Sequence, residues 1–262
     1  METETHYLAD ITILIPLRVD SEERRDNMDT CLSFFAAYPE VRILVLEADI
    51  EPKYKPVPIN NLEYFFMEDP DPVFYRTHYL NILLRKAQTP VAGIWDSDVI
   101  IPVNQIVEAI KKVKDGATLC YPYDGRFYNI SPLLSLEYKK TINIEMISSN
   151  QTHQLAHGYY SVGGAFVVDV AKYLSAGGEN EHFYGWGPED TERRERIHTW
   201  GLKVQRTEGC LYHLYHSRGI NSNYANEERE LFNRQEYLKI CKMTSNELKD
   251  YILNSSWVKN NV

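Results

Sequence analysis

The sequence predicts an α/β protein built around a largely parallel central sheet. Short apolar runs of strand length alternate with segments of helical periodicity from the N-terminus onward. Such an alternation is typical of βαβ units, which place their strands side by side in one direction. The chain has 262 residues, of which 44% are hydrophobic and 25% charged, so it can form one large domain with an ordinary core.

Each element is predicted from its own local pattern. Apolar runs predict strands over residues 11–17, 41–46, 62–67, 91–95, 118–121, 165–168, 203–207 and 210–214. Helices are predicted from Asp20 to about residue 37, and over 75–88, 102–116, 188–200 and from 226 onward. Asp20 with Glu23, and Thr244 with Glu247, have the spacing of helix-capping boxes.

Composition excludes several functional classes. Lys and Arg total 28 against 37 Asp and Glu, a net charge of −9, which argues against binding to a nucleic-acid backbone. The 4 cysteines lie far apart without a disulfide or zinc pattern, as in a reducing compartment. The first residues do not resemble a secretory signal, and no apolar stretch approaches the roughly 20 residues of a membrane span. We therefore expect a cytoplasmic protein with no membrane span. Peripheral contact with a membrane is compatible with this expectation.

A D-x-D pattern follows the predicted strand 91–95. Asp96 and Asp98 lie where that strand ends, and ligands of open α/β sheets bind beyond the carboxyl ends of strands. Two such carboxylates can hold a hard divalent cation while one also reaches a ribose hydroxyl. A plain strand-end turn is an equally weighted alternative. We interpret a second such pair, Asp69 and Asp71, as a turn, because prolines bound it and no buried strand precedes it.

Two histidines lie close together at residues 213–216. Neutral imidazoles bind Mn²⁺ and neighbouring metals, but residues three apart on a strand face opposite ways. His213 and His216 can share an ion only if the chain turns there, and Ser217 to Gly219 make a turn credible. Unrelated histidines are the alternative. We interpret His153 and His157 as structural, because no carboxylate follows in an H-E-x-x-H pattern.

The segment 183–190 combines a tryptophan between glycines with two acids. Trp186 is suited to stacking on a sugar, and Glu189 to hydrogen bonding with sugar hydroxyls. Asp190 falls in the first turn of a predicted helix, where the helix N-terminus favours an ionised carboxylate that can act as a base. The alternative is that both acids only stabilise the helix.

Together these motifs resemble those of the β-1,4-galactosyltransferases. The resemblance covers roughly residues 11–219 and includes Ile15–Arg18, Phe74–Arg76, Asp96–Asp98, Gly163–Gly164, Tyr184–Asp190 and Tyr215–Arg218, in that order. The pattern is also similar to family 2 glycosyltransferases. The implied structure is a GT-A fold, with a Rossmann-like nucleotide-binding half, a mixed and mostly parallel sheet, an acceptor-binding half and C-terminal helices.

The resemblance implies a role for each matched residue. The residues implied to bind the nucleotide-sugar are Pro16, Arg18, Glu47, Arg76, Asp96 and Gly164, with Arg18 and Glu47 flanking the uridine. Those implied to bind the acceptor or sugar are Tyr184, Trp186 and Glu189. The implied metal ligands are Asp98, His213 and His216, for Mn²⁺ with Mg²⁺ or another divalent cation as alternatives, and the implied base is Asp190. His213 stands where that family often has methionine, and Pro188 and Thr191 also depart from its pattern.

The resulting hypothesis is a metal-dependent inverting glycosyltransferase. It would move galactose or N-acetylgalactosamine from a UDP-sugar to a glycan or lipid-linked glycan, in polysaccharide biosynthesis and near the inner face of a bacterial membrane. A single domain over residues 1–262 would contain a nucleotide-sugar-binding half (about 11–123), an acceptor half (about 124–219) and a helical extension (about 220–262). The alternatives are a catalytically silent sugar-nucleotide- or glycan-binding module and a nucleotidyltransferase or metal-dependent hydrolase.

Overall fold

A computed structural model describes residues 6–150, 152–156 and 158–259. The described chain forms two β-sheets with helices packed around them. The larger sheet has seven strands in the order β10-β6-β9-β4-β1-β2-β3, and the smaller has four in the order β5-β11-β7-β8. The strands are β1 (Ile11–Leu17), β2 (Arg42–Asp49), β3 (Leu62–Glu68), β4 (Val91–Trp95), β5 (Val99–Ile100), β6 (Leu119–Tyr121), β7 (Phe127–Asn129), β8 (Gln154–Leu155), β9 (Ala165–Asp169), β10 (Val204–Arg206) and β11 (Leu211–His213).

The large sheet is mostly parallel, as predicted. The pairings of β1 with β2, β1 with β4, β2 with β3 and β6 with β10 are parallel. Strand β9 runs antiparallel to both of its neighbours, β4 and β6. Every residue of β1 and β4 is buried, which explains why their continuous apolar runs predicted both strands with their observed bounds.

Helices connect and cover the strands. They are α1 (Glu22–Ala36), α2 (Arg76–Lys86), α3 (Val103–Lys114), α4 (Pro132–Thr141), α5 (Ile144–Ser148), α6 (Val170–Ser175), α7 (Glu189–Thr199), α8 (Glu227–Lys242), α9 (Ser245–Leu253) and α10 (Ser256–Lys259), with a 3₁₀ turn at Ile220–Ser222. The capping box predicted at Thr244 is present and begins α9. The short helix α10 follows α9.

The predicted cap of the first helix was wrong by one residue. Ser21, not Asp20, accepts a hydrogen bond from the Arg24 amide at the start of α1. Asp20 instead forms an ion pair with the Arg24 side chain, at 2.9 Å. The side chain that satisfies the helix amide is therefore the hydroxyl, while the carboxylate turns toward the arginine.

The small sheet was not predicted as a unit. Its strands have only two or three residues each, and β5 pairs with β11 from more than a hundred residues later in the chain. In that pairing His213 lies opposite Val99. Because β5 begins directly after Asp98, the small sheet brings the D-x-D segment beside the histidine segment.

The C-terminal helices form a second, smaller apolar cluster. Ile240, Leu248, Ile252 and Trp257 are buried together there. The Trp257 ring nitrogen donates to the Gly177 carbonyl at 3.0 Å, which ties this cluster to the main core. Among the described residues, none of the helices combines the length and apolarity that a bilayer span requires.

Candidate active site

A cleft of about 550 Å³ lies where the carboxyl ends of β1 and β4 meet the small sheet. It brings together most of the predicted site residues from distant parts of the chain. Those that line it are Pro16, Arg18, Arg76, Asp96, Asp98, Trp186, Glu189, Asp190, His213 and His216.

Three of the lining residues form a candidate metal site. Asp98, His213 and His216 each offer one ligand atom, and these atoms lie within 4.8 Å of one another. His213 is the last residue of β11, and the chain leaves the strand after it. His216 therefore also faces Asp98, which meets the condition that the chain must turn if the two histidines are to share an ion. The Leu214 amide donates to the Asp98 carbonyl at 2.8 Å, which locks the two segments together.

The chemistry of this group fits a divalent cation. Oδ1 of Asp98 is buried and lies 3.4 Å from Nε2 of His213, so this oxygen faces the histidine segment. Nδ1 of His216 donates to the Ser217 carbonyl at 2.8 Å, which leaves Nε2 as the ring nitrogen directed at Asp98. That Nε2 lies 3.2 Å from Asp98 Oδ2. A carboxylate and two imidazoles suit Mn²⁺ and similar ions.

Electrostatics keep Asp98 ionised. Burial acts to raise the pKa of Asp98, but the charge and hydrogen bonds of His213 and His216 hold that pKa well below its usual range. Burial would lower the pKa of His216, and the Asp98 carboxylate raises it instead. Arg24, which the sequence did not single out, adds a cation 3.6 Å from Asp98.

Asp96 belongs to a different ion pair from Asp98. Its Oδ1 accepts from Arg76 at 2.7 and 3.2 Å. Burial raises the pKa of Asp96, although Arg76 opposes the shift. The Asp96 amide donates to the Gly164 carbonyl at 2.9 Å. The two carboxylates of the D-x-D pattern therefore have separate partners on either side of one tight turn.

Gly164, predicted to bind the nucleotide-sugar, does not line the cleft but contacts Asp96 through its carbonyl. Its φ is +81°, and a Cβ there would lie 2.9 Å from Phe127 and 3.0 Å from Leu211. The glycine thus allows the small sheet to pack closely while its carbonyl positions Asp96. Its neighbour Gly163, which the sequence motif included but to which no role was assigned, faces Asp190.

Arg18 connects two loops at the far end of the cleft. Its Nε donates to the Ala48 carbonyl and its Nη1 to the Asp71 carbonyl, both at 2.7 Å. Its buried Nη2 has no hydrogen-bond partner among the described residues, and the same holds for Nη1 of Arg76. Both guanidinium groups therefore retain a donor for a ligand.

Besides Gly164, two predicted ligand-binding residues, Glu47 and Tyr184, do not line the cleft. Glu47, predicted to flank a uridine, is fully buried, and its carboxylate accepts from the Tyr64 hydroxyl at 2.5 Å and from the Lys53 and Tyr54 amides. Tyr184, predicted to bind sugar, donates its hydroxyl to Asp71 and lies under the guanidinium of Arg229. Both side chains are occupied in holding loops, and neither is among the residues that line the cleft.

The two acids of α7 differ sharply in environment. Glu189 is buried, and Oε2 of its carboxyl has no hydrogen-bond partner among the described residues. Burial and, second, the charge of Asp190 raise the pKa of Glu189 to about 8. The Asp190 side chain is 31% exposed and forms an ion pair with Arg193 at 2.7 Å. At neutral pH, Glu189 is thus a neutral hydrogen-bonding group beside a carboxylate.

Trp186 is exposed at the rim of the cleft. Its side chain is 43% exposed, and its ring meets Tyr224 edge-on at 4.8 Å. Close packing favours glycine on both sides of Trp186, because a Cβ at Gly185 would lie 2.8 Å from Val73 and one at Gly187 would lie 2.7 Å from Asn233. The segment therefore presents the indole while its backbone packs tightly below.

The features interpreted as structural are consistent with that interpretation. Asp69 and Asp71 each accept a backbone amide two residues ahead, as in Asx turns. His153 contacts the Ile147 carbonyl at 2.5 Å and packs against Tyr212. His157 lies outside the described residues.

A family model and several solved structures are similar to this chain. The model described as the N-terminal domain of galactosyltransferase matches residues 145–217, which include both the Trp186–Asp190 segment and the two histidines. No curated protein matches the chain significantly.

The similar structures are glycosyltransferases. The catalytic domain of Drosophila beta1,4galactosyltransferase 7, in complex with xylobiose, is 17% identical over 89% of this chain and 81% of its own, with a TM-score of 0.54. The mannosyltransferase PcManGT from Pyrobaculum calidifontis, in complex with GDP-Man and Mn²⁺, is 13% identical over 95% of this chain and 69% of its own, with a TM-score of 0.54. GalNAc-T7, with UDP, GalNAc and Mn²⁺, is 12% identical over 94% of this chain and 50% of its own, with a TM-score of 0.56.

These comparisons confirm the predicted fold and the predicted resemblance. At such low identity the solved structures establish the fold, while the family model independently locates the galactosyltransferase similarity in the second half of the chain. The family model also supports the prediction of a glycosyltransferase. The chain has the GT-A fold and carries a galactosyltransferase-like segment over residues 145–217.

Proposed function

We propose that the chain is a metal-dependent inverting glycosyltransferase that moves galactose or N-acetylgalactosamine from a UDP-sugar to a glycan hydroxyl. One observation carries the proposal: a single cleft places the Asp98, His213 and His216 group together with the acids of α7. The similar structures support the choice of donor, since a mutant of the same Drosophila enzyme holds manganese, UDP-Gal and xylobiose, and GalNAc-T7 holds UDP, GalNAc and Mn²⁺.

Asp98, His213 and His216 would hold the cation, with Mn²⁺ favoured and Mg²⁺ as an alternative. The convergence of the Asp98 oxygens on the Nε2 atoms of His213 and His216, at 3.4 and 3.2 Å, supports this ligand set. When bound, such an ion supplies positive charge that neutralises the diphosphate leaving group. Arg24, at 3.6 Å from Asp98, would add to the positive field on the same side.

The opposite side of the cleft would bind the nucleotide and the donor sugar. Arg18 and Arg76 each retain an unpartnered donor there, and guanidinium groups suit phosphate and carbonyl oxygens. Pro16 lines the same region, while Asp96 is proposed to accept from a ribose hydroxyl. Gly164 would act by positioning Asp96 through its carbonyl.

Asp190 is proposed as the general base. It would take the proton of the acceptor hydroxyl as that oxygen attacks the anomeric carbon from the face opposite the leaving diphosphate, which inverts the configuration. General-base catalysis typically contributes about 10² to 10⁴ in rate. Glu189, neutral at pH 7, would donate a hydrogen bond to a sugar hydroxyl, and the exposed Trp186 ring would stack on the acceptor.

The biological setting is proposed on the same basis. A glycan or lipid-linked glycan acceptor would assign the enzyme to polysaccharide biosynthesis in a bacterial cytoplasm, near the inner face of the membrane. Residues from about 11–123 would supply most of the donor site and residues from about 124–219 the metal histidines and the base, within one domain.

The test is a transfer assay with purified protein, a panel of UDP-sugars and Mn²⁺. We expect transfer from one donor, loss of transfer in excess EDTA, and loss of transfer with retained UDP binding for Asp190→Asn. UDP binding without transfer to any acceptor would instead identify a silent binding module. Release of pyrophosphate from a nucleoside triphosphate would identify a nucleotidyltransferase, and full activity in EDTA would remove the metal from the mechanism.

A further inference from the structure

We propose that Arg193 is a positioning residue that fixes the carboxylate of Asp190 for proton transfer. The inference rests on the proposed function, because it concerns the orientation of the proposed base. Arg193 lies one helical turn after Asp190 on α7, and its side chain is fully buried.

Arg193 is held rigidly by partners other than Asp190. Its Nε and Nη2 bind the two carboxylate oxygens of Glu179 at 2.9 and 2.7 Å, a bidentate arrangement. Its guanidinium carbon lies 4.0 Å from the centre of the Phe166 ring. Glu179 is itself fixed by the Tyr173 hydroxyl at 2.6 Å. The guanidinium therefore has one defined orientation.

The remaining nitrogen of that guanidinium reaches the proposed base. Nη1 of Arg193 donates to Asp190 Oδ1 at 2.7 Å. On the other side, a Cβ on Gly163 would lie 2.6 Å from Asp190 Oδ2, so the glycine backbone approaches that oxygen closely. One oxygen is thus bound to the fixed arginine, and the other is left for the acceptor hydroxyl.

This pair differs from an ordinary ion pair on a helix surface. Exposed pairs three or four residues apart contribute little to stability and restrict the side chains little. Here the cation is buried and already bound to Glu179, so Asp190 meets a fixed partner. Catalysis is sensitive to such placement, because a displacement of about 1 Å can lower a rate by about 10²-fold.

Arg196 provides a matched control on the same helix. It is also buried, and its Nε binds Glu192 at 2.9 Å. Its other nitrogens donate to the carbonyls of Ala176 and Gly178, at 2.7 and 2.6 Å. Arg196 is therefore a buried arginine held by its own partners, like Arg193, but it has no bond to Asp190.

The experiment compares Arg193→Lys with Arg196→Lys in the transfer assay. An ammonium group keeps the buried charge but cannot bind Glu179 in a bidentate manner and also reach Asp190 in a fixed geometry. We expect Arg193→Lys to lower kcat about 10- to 100-fold with the donor KM and the UDP-induced rise in Tm unchanged. Arg196→Lys should keep kcat at temperatures well below its own Tm.

The possible results separate this inference from the proposed function. If the unchanged protein transfers sugar and Arg193→Lys keeps its kcat, or if both variants lose kcat in proportion to their loss of Tm, the positioning role is refuted. If Arg193→Lys does not fold, Glu179→Gln keeps the arginine and removes the charge that fixes it. Lowered kcat with retained UDP binding would then support the inference, and unchanged kcat would overturn it. Failure of the unchanged protein to transfer any sugar refutes the proposed function itself.

Discussion

Replacing Glu189 by glutamine should stabilise the protein increasingly as the pH rises. The pKa of this buried carboxyl is raised from 4.5 to about 8, first by burial and second by the charge of Asp190. Below pH 4.5 the group is neutral in both the folded and the unfolded chain, so it imposes no electrostatic cost. Above that pH the unfolded chain releases the proton while the folded protein retains it, and stability falls.

The size of the effect follows from the raised pKa. A difference of one pKa unit corresponds to about 1.4 kcal/mol, so a rise from 4.5 to about 8 gives an upper limit of about 5 kcal/mol. The cost grows by about 1.4 kcal/mol per pH unit and is complete above about pH 8. Glutamine has a similar shape and never ionises, so Glu189→Gln should avoid this loss.

Urea unfolding at several pH values from 5 to 9 measures the prediction. The free energy of unfolding of Glu189→Gln, minus that of the unchanged protein, should rise across this range and level off near the top. Asp190→Asn removes the second cause of the raised pKa, so in that background the rise should be smaller. Parallel stability profiles for the two proteins would show that Glu189 is ionised in the folded state and would refute the reasoning.

Three further predictions concern the other parts of the cleft. Asp98→Asn and His216→Ala should each abolish the rise in Tm that Mn²⁺ produces, because each removes one of three clustered ligands; an undiminished rise would place the ion elsewhere. Gly163→Ala should lower the transfer rate about 10-fold or more without weakening UDP binding, because its methyl group would lie 2.6 Å from Asp190 Oδ2 and displace that carboxylate. Steady-state kinetics measures the rate and calorimetry measures UDP binding, and an unchanged kcat would contradict the prediction. Trp186→Ala should raise the acceptor KM about 5- to 10-fold with little change in donor KM, as expected for loss of about 1 kcal/mol of stacking; equal effects on both constants would argue against an acceptor role.

The large sheet was predictable because its strands carry their own signal. β1 and β4 are buried along their whole length, and a continuous apolar run needs no knowledge of the rest of the chain. Of the small sheet, only β11 falls within a predicted strand, residues 210–214, because strands of two or three residues rarely carry such a signal. β5, with two residues, exists because β11 pairs with it, a contact that no local pattern contains.

The candidate site was predictable wherever chemistry and resemblance coincided. Asp98, His213 and His216 were found because histidines and a strand-end carboxylate are unusual in combination. Glu47 was expected just after the second strand, but β2 continues to Asp49, and the contacts of Glu47 with Tyr64 and the residue 53–54 loop were not visible in the sequence. Arg24 was missed for the same reason: an arginine in the first turn of a helix is ordinary until the fold brings it to Asp98.

The two ends of the cleft have opposite effects on the protonation of their carboxyl groups, and the difference favours Asp190 over Glu189 as the base. Near the histidines, cations keep Asp98 ionised despite its burial. At the start of α7, burial keeps Glu189 protonated, so it can donate a hydrogen bond but cannot accept a proton at neutral pH. The neighbouring Asp190 is part of an ion pair with Arg193 and remains partly exposed to the cleft. Of two adjacent acids, only Asp190 is therefore both charged and accessible, which is what abstraction of a proton from a hydroxyl requires.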